Sequence, residues 1–394
     1  MNLFYYLEDC VMYNEFSQPA PIIFGRGAIS ILGERIKEMG CNKVMLIFEK
    51  GIEDAGIITR AVASLDAAGV NYVKFSGVTA DPSDSVVDEA GKAALSAGAD
   101  CLVGIGGGSS LDTAKAASIL MTNPGPARNY LFQAPQKFET TTPVILVPTT
   151  AGTGSECTTV AIISLPDLNV KWGVFVNTTL AIIDPELMLT LPKSITATTG
   201  MDAFAHAAEA MTGINWNVHS DLFAEASIKK IANNLVICCE DPSNIEARSE
   251  MALAANWAGL AFNNPITHVG HAVADAFSCY FHTPHGLGCA LALPETMALV
   301  APAVPDRMRI IAEAMNLQLN GNETGEQLGK LVADDIRKLM RRIEIKSLKE
   351  LGYSREKVLS FVPDILANHL SALCPVKIDE NSAASLLAAV YDSY

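Results

Sequence analysis

The first half of the chain alternates short apolar runs with stretches of helical periodicity, and this alternation limits the fold more than any other feature. Five runs are short, rich in β-branched residues and bounded by Gly, Asp or Pro, as buried parallel strands are. They lie at residues 43–48, 70–75, 100–105, 143–147 and 180–183. Between them, apolar residues recur at helical spacing, as at 57–68 and 85–97. The pattern predicts a doubly wound parallel sheet with a ligand crevice at the carboxyl ends of its strands.

The sequence changes character near its middle. Helical periodicity runs from about Ser194 to the end, with alanine-rich segments such as 203–211 and no convincing strand. Pro192 is a helix breaker just ahead of this change. We therefore expect two domains: a doubly wound, Rossmann-like α/β domain over residues 1–190 and an all-helical domain over residues 191–394.

Composition excludes several classes of protein. Of the 394 residues, 49% are hydrophobic and 18% charged, which excludes a disordered chain. The 43 acidic residues outnumber the 28 basic ones, and a net charge of −15 argues against nucleic-acid and membrane-surface partners. No run approaches the roughly 20 apolar residues of a spanning helix, and the N-terminus lacks the pattern of a signal peptide. The 9 cysteines form no C-x-x-C pair. We expect a cytoplasmic homodimer or larger homo-oligomer with reduced thiols.

A glycine-rich turn follows the predicted strand at 100–105 and leads into a helix that begins near Leu111. The turn consists of Gly106, Gly107, Gly108, Ser109 and Ser110. Glycines let a backbone approach a ligand closely, and the free N–H groups of a helix start attract anions. The turn departs from G-x-G-x-x-G because Ser109 stands at the last glycine. A diphosphate site and an ordinary turn with a serine helix cap are both compatible with it.

A second loop of small residues, at 148–156, follows the predicted strand at 143–147. It presents hydroxyls and backbone amides at another strand end, where open α/β sheets bind ligands. Two such loops at one sheet edge are better evidence for a dinucleotide site than a single turn is. At an earlier strand end, Glu49 can accept hydrogen bonds from a ribose diol and repel a 2′-phosphate. A solvated surface glutamate is equally compatible with this position.

The histidines are clustered, since 6 of the 7 fall between residues 206 and 285. Asp202 and His206 are four residues apart and share one face of a predicted helix. Two further pairs follow at a spacing of three: His268 with His271, and His282 with His285. A carboxylate with two or more imidazoles is a ligand set for Fe(II) or Zn(II). The spacing predicts a metal site in the helical half but leaves the choice among these histidines open.

Several segments together resemble the iron-containing (group III) alcohol dehydrogenases. They read GGGSSLDTAK, PTTAGTGSE, DPELMLTLP, GMDAFAHAAE and AGLAFNN…HVGHAVAD…PHG, in the order of that family, and span most of residues 100–294. The resemblance implies a dehydroquinate-synthase-like fold, with an N-terminal dinucleotide-binding domain, a C-terminal metal-binding and substrate domain, and a cleft between them.

The resemblance also implies roles for individual residues. Four positions match the metal ligands of the family: Asp202, His206, His271 and His285. His268 and His282 match no ligand and become bystanders or outer neighbours of the site. The cofactor contacts of the family map to Gly106, Gly107, Gly108, Ser109, Ser110, Asp112, Thr149, Thr150, Thr153 and Lys171. Glu49 falls where many members have an Asp facing the adenosine ribose, which favours NAD over NADP.

The sequence departs from the family at one position. Many members have a histidine four residues after the third ligand, where it is thought to help pass the proton, whereas this chain has Asp275. On a helix, Asp275 follows His271 by one turn and shares its face. It can relay a proton, hold a ligand histidine, bind a substrate hydroxyl, or face solvent.

The expected activity is therefore the NAD-dependent interconversion of a small alcohol with its aldehyde or ketone, aided by Fe(II) or Zn(II). A zinc enzyme resembling glycerol dehydrogenase is the alternative, although members of that kind lack one of the four ligands. A lyase resembling dehydroquinate synthase would share the fold but needs a cluster of basic residues, which the segment 201–281 lacks. A non-catalytic nucleotide- or metal-binding protein is the least favoured alternative, because it would not need both sites aligned across one cleft.

Overall fold

The computed structural model describes residues 15–18, 20–132 and 136–394. Its strands are β1 (Ile22–Phe24), β2 (Lys43–Glu49), β3 (Asn71–Val78), β4 (Cys101–Gly106), β5 (Val144–Pro148), β6 (Val160–Leu165), β7 (Val170–Phe175) and β8 (Leu180–Ile183). Six of them form one parallel sheet in the order β1-β8-β5-β4-β2-β3. All five predicted strands belong to this sheet. The doubly wound α/β prediction is confirmed, and the carboxyl ends of β2, β4 and β5 lie side by side.

Helices cover both faces of the sheet. They are α1 (Leu32–Glu38), α2 (Lys50–Asp54), α3 (Ile57–Ala68), α4 (Asp84–Ala97) and α5 (Gly108–Leu120). The predicted helix at 57–68 matches α3, and the one at 85–97 begins one residue earlier, because Ser83 caps the N-terminus of α4. Helix α5 is buried along nearly its whole length. Because it follows the central strand β4, its first turn lies at the middle of the sheet edge.

Two parts of the α/β half were not predicted. Strand β1 is three residues long and adds to the sheet edge beside β8. Strands β6 and β7 form an antiparallel hairpin outside the main sheet. Ala161, Ile163 and Leu165 are buried on one face of the hairpin, whereas the alternate residues point away from that core. The hairpin lies beside the sheet edge that carries the two predicted loops.

The described residues beyond β8 form helices joined by turns and loops, with no strand, as predicted. Its helices are α6 (Lys193–Thr212), α7 (Val218–Glu240), α8 (Ile245–Phe262), α9 (Val269–Phe281), α10 (His285–Val300), α11 (Pro305–Ala314), α12 (Gly325–Arg342), α13 (Arg355–Leu359), α14 (Val362–Ala367) and α15 (Glu380–Asp392). They enclose one large apolar core rich in alanine, which lets helices pack closely. No helix in the described part of the chain is long and apolar enough to cross a membrane.

Candidate metal centre and nucleotide cleft

The four predicted metal ligands come together from three helices. Asp202 and His206 lie one turn apart on α6, His271 lies in the first turn of α9, and His285 begins α10. The Oδ1 atom of Asp202 lies 3.8 Å from Nε2 of His206, 3.9 Å from Nε2 of His271 and 3.8 Å from Nε2 of His285. These separations exceed hydrogen-bond lengths, and they are close to the roughly 3.4 Å between ligand atoms of a tetrahedral site with bonds of about 2.1 Å.

Burial makes this arrangement costly without a cation. Asp202 is 2% exposed, and His206 and His271 are also buried. Neither Asp202 Oδ1 nor His271 Nε2 has a hydrogen-bond partner among the described residues. An unpaired buried polar atom is unfavourable, and a buried carboxylate oxygen especially so. A divalent metal would satisfy both atoms at once, so the residues fit a metal ion.

The cluster is slightly exposed to solvent, and on one side only. The side chain of His285 is 30% exposed, whereas the side chain of Asp202 behind it is almost fully buried. A ligand approaching the cluster therefore meets His285 first. Phe262 stacks on His206 with ring centroids 4.2 Å apart and covers that ring. The arrangement gives a metal a dry interior and one accessible face.

Glu209 is a functional neighbour that the sequence reasoning missed. Its Oε1 accepts a hydrogen bond of 2.8 Å from Nδ1 of His271, and its Oε2 accepts one of 2.7 Å from the backbone N–H of His268. Burial opposes ionisation of this carboxyl, yet the charges of His271 and His268 and the bonds from them lower the pKa of Glu209 to about 2. The bond fixes the ring of His271 so that Nε2 faces Asp202. The available signal was spacing, because Glu209 lies seven residues after Asp202 on the same helix face.

Gly270 makes the approach of Glu209 possible. A Cβ atom at Gly270 would lie 2.4 Å from Oε1 of Glu209. His268 lies behind the cluster, where its Nε2 bonds Oγ1 of Thr212 at 2.9 Å. His268 therefore contacts the outer carboxylate rather than the four converging side chains, and His282 is exposed at the end of α9.

Cys289 is a second neighbour that was missed. It follows His285 by one turn of α10, and its Sγ lies 3.5 Å from Nε2 of His285. The ligand atoms of Asp202, His271, His285 and Cys289 all lie within 4.8 Å of one another. Burial, together with the charges of Asp202 and Glu209, raises the pKa of Cys289 well above its usual range. Cys289 lies within reach of the same metal position as Asp202, His271 and His285, although it was not among the predicted ligands.

The two glycine-rich loops lie against each other at the ends of β4 and β5. The backbone N–H of Thr149 donates to the carbonyl of Gly106 at 2.9 Å. A Cβ at Gly108 would lie 2.8 Å from Cγ2 of Thr153, and one at Gly107 would lie 3.6 Å from Thr150. The first N–H groups of α5 have no acceptor within the helix. The structure thus places a row of backbone donors beside two threonine hydroxyls, which suits a diphosphate.

Burial divides the predicted cofactor residues into two groups. Gly107, Gly108, Ser109, Thr150 and Thr153 are partly exposed. Ser110 and Thr149 are fully buried, and a Cβ at Gly106 would lie 2.6 Å from Oγ of Ser110. The first group can touch a ligand with side-chain or backbone atoms. The second lies beneath the loops and supports them.

Asp112 is held within the protein. Its Oδ1 accepts a hydrogen bond of 2.5 Å from Oγ of Ser155, and its Oδ2 accepts one of 3.0 Å from the N–H of Ile162. The buried ammonium of Lys115 lies 3.1 Å from Asp112 and donates to the carbonyls of Ser155 and Val160. Sequence reasoning assigned Asp112 to the cofactor, whereas its contacts in the structure brace the second loop and the hairpin.

Glu49 and Lys171 belong to different elements of the α/β half. Glu49 ends β2, and no described residue donates a hydrogen bond to its carboxylate; burial raises its pKa. Lys171 lies on β7 and donates a 2.7 Å hydrogen bond to Oδ1 of Asp81. Burial opposes its charge, but the carboxylates of Asp275 and Asp81 raise the pKa of Lys171. A free carboxylate and a charged ammonium are thus available to a cofactor.

Asp275 lies beside the open face of the metal cluster. Its Oδ1 is 3.9 Å from Nδ1 of His285, and its Oδ2 accepts a hydrogen bond of 3.2 Å from Nδ2 of Asn368. Nδ1 of His285 has no partner among the described residues. The Asp275 side chain is half-buried. Of the roles considered for Asp275, these distances favour the one in which it holds a ligand histidine, His285.

Comparison with known proteins agrees with this architecture. The NAD-dependent methanol dehydrogenase of Bacillus methanolicus is 34% identical over 317 residues, covering 79% of this chain and 82% of that protein. The crystal structure of a 1,3-propanediol oxidoreductase has a TM-score of 0.92 and 29% identity, covering 96% of this chain and all (100%) of that one. The sulfoacetaldehyde reductase of Bifidobacterium kashiwanohense, solved in complex with NAD⁺, has a TM-score of 0.88 and 27% identity, covering 98% of this chain and 100% of that one.

Family assignment follows from both halves of the sequence. Residues 19–185 match the iron-containing alcohol dehydrogenases, and residues 196–391 match the C-terminal part of the same family. The chain therefore belongs to the iron-containing alcohol dehydrogenase family and is an oxidoreductase that interconverts an alcohol and its carbonyl compound.

Proposed function

We propose that the iron of this enzyme is held by the four side chains that converge in the helical half, namely Asp202, His206, His271 and His285. One observation carries the assignment: a buried oxygen of Asp202 lies 3.8–3.9 Å from three imidazole nitrogens and has no donor among the described residues. Three imidazoles and one carboxylate suit Fe(II), and Zn(II) fits the same donors. We expect one metal ion per chain.

The residues around the metal set the conditions for the reaction. When bound, the metal acts as a Lewis acid toward the alcohol oxygen, and NAD takes up the hydride. Glu209 keeps the ring of His271 in one orientation, so that ligand needs no rearrangement. His285 lies at the accessible face, which directs the substrate to the side of the cluster nearest Asp275.

The enzyme uses NAD, and we assign its contacts from the geometry of the cleft. The diphosphate lies on the backbone of Gly107, Gly108 and Ser109, beside the hydroxyls of Thr150 and Thr153. Gly106, Ser110 and Thr149 support these loops from below, and Asp112 braces them through Ser155. Glu49 accepts hydrogen bonds from the adenosine ribose, and the ammonium of Lys171 contacts the cofactor from the hairpin.

Asp275 has a proposed role as the carboxylate that holds His285. Its 3.9 Å distance from Nδ1 would close to a hydrogen bond after a small shift of either side chain. Asp275→Asn, similar in shape but not ionisable near neutral pH, should lower kcat and alter its pH profile while metal content stays near one per chain. Asp275→His should recover part of the loss if the role is proton relay, and none if the role is to hold His285. Wild-type kcat and pH profile in Asp275→Asn would leave Asp275 without a role.

The substrate is a small primary alcohol or diol, or the matching aldehyde. A steady-state screen of such compounds with NAD(H) and added Fe(II) or Zn(II) tests the proposal. We expect turnover that depends on the metal and is lost on chelation. If the enzyme kept its full turnover after a chelator had removed the metal, the assignment of the metal centre would be wrong.

The domain division and the assembly are also proposals. Residues 1–190 would form the dinucleotide-binding domain and residues 191–394 the metal-binding and substrate domain, a division supported by the change from mixed to helical structure at α6. The described cysteines are free, as expected in the cytoplasm. A homodimer or larger homo-oligomer would cover the exposed Leu222 beside Phe16. Light scattering on the purified protein tests the assembly, and a monomer at all concentrations would contradict it.

A further inference from the structure

Asp81 occupies an unusual backbone position at the edge of the cleft. It lies between β3 and α4, immediately before Pro82, and has a φ of 50°. This left-handed region favours glycine, although Asp is among the residues that tolerate it. A residue before proline is further restricted in conformation. The backbone at Asp81 is therefore held in a less favourable conformation.

The side chain of Asp81 joins the two halves of the molecule. Its Oδ1 accepts a hydrogen bond of 2.7 Å from Nζ of Lys171 on β7. Its Oδ2 accepts one of 2.8 Å from Oγ of Ser278 on α9, 197 residues away in the sequence. Ser278 is 2% exposed, and the side chain of Lys171 is 9% exposed. One carboxylate therefore uses both oxygen atoms to tie the hairpin of the α/β half to a helix of the metal half.

Ser278 belongs to the helix face that carries the metal-site residues. His271, Asp275 and Ser278 lie at positions i, i+4 and i+7 of α9 and so point the same way. His271 is at the start of this face and Ser278 near its end. A bond to Ser278 therefore limits rotation of α9, and with it the direction of His271 and Asp275.

The two halves have a separate joint elsewhere. Gly154 of the second loop packs on Gly259 of α8, since a Cβ at Gly154 would lie 2.5 Å from Cα of Gly259. Nδ2 of Asn256 also donates to Oε1 of the buried Glu156 at 2.9 Å. Both of these contacts involve α8, and so does the ion pair between Arg26 and Glu246. The bond at Asp81 is made by different elements and constrains the metal-bearing helix α9 relative to the hairpin.

We propose that Asp81 is a positioning residue that aligns the ammonium of Lys171 with the metal-bearing face of α9. The proposal rests on the proposed contact of Lys171 with the cofactor. Asp81 itself touches neither the metal ligands nor the phosphate loops in the described contacts. Its role is to set, through its two oxygen atoms, the relative placement of a cofactor contact and a metal ligand.

A double-mutant cycle on the metal-loaded enzyme tests the proposal. Asp81→Asn keeps the shape but removes the charge, and Ser278→Ala removes only the oxygen on α9. The dissociation constant of NADH, kcat and metal content are measured for both single variants, the double variant and Lys171→Met. Asp167→Asn is the matched control, because Asp167, in the turn of the hairpin, also pairs with a cation, that of Arg128. Its side chain is 54% exposed and contacts no helix of the metal half in the described structure.

We expect Asp81→Asn to weaken NADH binding about tenfold and to lower kcat, since a hydrogen bond to a charged group is lost. Ser278→Ala should lower kcat while the dissociation constant of NADH stays within about twofold of wild type, and metal content should not change. The double variant should match Asp81→Asn, because both changes act through one carboxylate. The control should match wild type.

Independent, additive effects of Asp81→Asn and Ser278→Ala on kcat would overturn the proposal, as would wild-type values for Asp81→Asn. If Lys171→Met leaves NADH binding unchanged, the cofactor role of Lys171 has failed, and the effect of both changes on kcat still decides whether the bridge exists. If Asp81→Asn does not fold, Ser278→Ala carries the test, since wild-type kcat in that variant would reject the bridge.

Discussion

The metal centre and the phosphate loops are built to bind a charged partner in different ways. At the metal centre, four side chains from three helices converge and leave buried polar atoms without partners. At the phosphate loops, the recognition surface is backbone, and the side chains of Ser110 and Thr149 are turned inward. Both sites leave buried polar atoms unpaired, since Oγ of Ser110 and Oγ1 of Thr149 also lack partners among the described residues, and both contain glycines where a Cβ would not fit. They differ in which atoms face the ligand: side-chain atoms at the metal centre and mainly backbone atoms at the loops.

This contrast has a consequence for mutation. The metal centre depends on chemical groups, so removing one group should remove the metal. The phosphate loops depend on space and on backbone N–H groups, which substitutions other than proline leave in place, so such a change there should weaken NADH binding without abolishing it. The two sites should therefore fail separately, with metal content and NADH affinity as independent measurements.

Replacing a metal ligand should have the largest effect. In His271→Ala, the cluster loses one of three imidazoles, and kcat should fall by at least about a thousandfold, in keeping with the several kcal/mol that a catalytic metal supplies. Metal content, measured on the purified protein, should drop sharply, whereas NADH binding should stay close to wild type.

His282→Asn is the matched control for the ligand variant. His282 is an exposed histidine nearby, and Asn tolerates its left-handed backbone, where φ is 54°. It should keep both metal and activity. Full metal content in His271→Ala would refute the ligand assignment, and a large loss of NADH affinity would show that the two sites are not separable.

Removing an outer partner should have a smaller effect at the same site. Glu209→Ala leaves Nδ1 of His271 without its acceptor, and loss of such a partner typically weakens metal binding about 10- to 100-fold. A competition titration against a chelator measures this change. Glu209→Gln keeps an oxygen that can accept the bond and should recover part of the affinity. Equal loss in both variants would indicate that the charge of Glu209, rather than its bond to His271, matters.

The sequence could predict a metal site in the helical half because a carboxylate and several histidines at helical spacing are a rare combination. The spacing left the choice of histidines open, and the resemblance to the family indicated Asp202, His206, His271 and His285. Glu209 escaped prediction because glutamate is common on helices, and its function depends on the space left by Gly270 on another helix. Contacts between distant elements leave no periodic signal in the sequence.

The fold shows the same limit. Local pattern predicted five strands of the sheet to within about three residues. Four of them are continuous buried runs, whereas the edge strand β3 is largely exposed. The hairpin of β6 and β7 lies outside the main sheet, and its two faces have different surroundings. Its position depends on Lys115, which reaches the carbonyl of Val160 from the buried interior. A buried lysine in a helix gives no indication in sequence of which strand it will hold.

Crowding one phosphate loop should weaken NADH binding about tenfold. In Gly108→Ala, the new methyl group would lie 2.8 Å from Cγ2 of Thr153, so the two loops must separate. Metal content should remain near one per chain. Gly51→Ala is the control, because a Cβ at Gly51 meets nothing within 4 Å. Unchanged NADH affinity in Gly108→Ala would mean that the cofactor does not use the contact between these loops.

The smallest effect should come from Glu49, where the two kinds of site meet. Glu49 would contact the cofactor through its side chain, as the metal ligands contact the metal, but it lies at a strand end in the α/β half. Burial raises its pKa without a compensating partner among the described residues. A folded-state pKa above the unfolded value means that the ionised carboxylate costs stability once the pH exceeds both. Glu49→Gln should therefore slightly raise the melting temperature at pH 7.

The same substitution should reduce discrimination between cofactors, because a neutral amide no longer repels a 2′-phosphate. We expect wild type to prefer NAD(H) clearly in kcat/KM, and Glu49→Gln and Glu49→Gly to narrow that preference several-fold with metal content unchanged. Measuring kcat/KM with both cofactors alongside thermal unfolding separates the two consequences. Equal use of NADP(H) by wild type would rule out this role, whereas a gain in stability without a change in preference would mean that the carboxylate of Glu49 is buried for another reason.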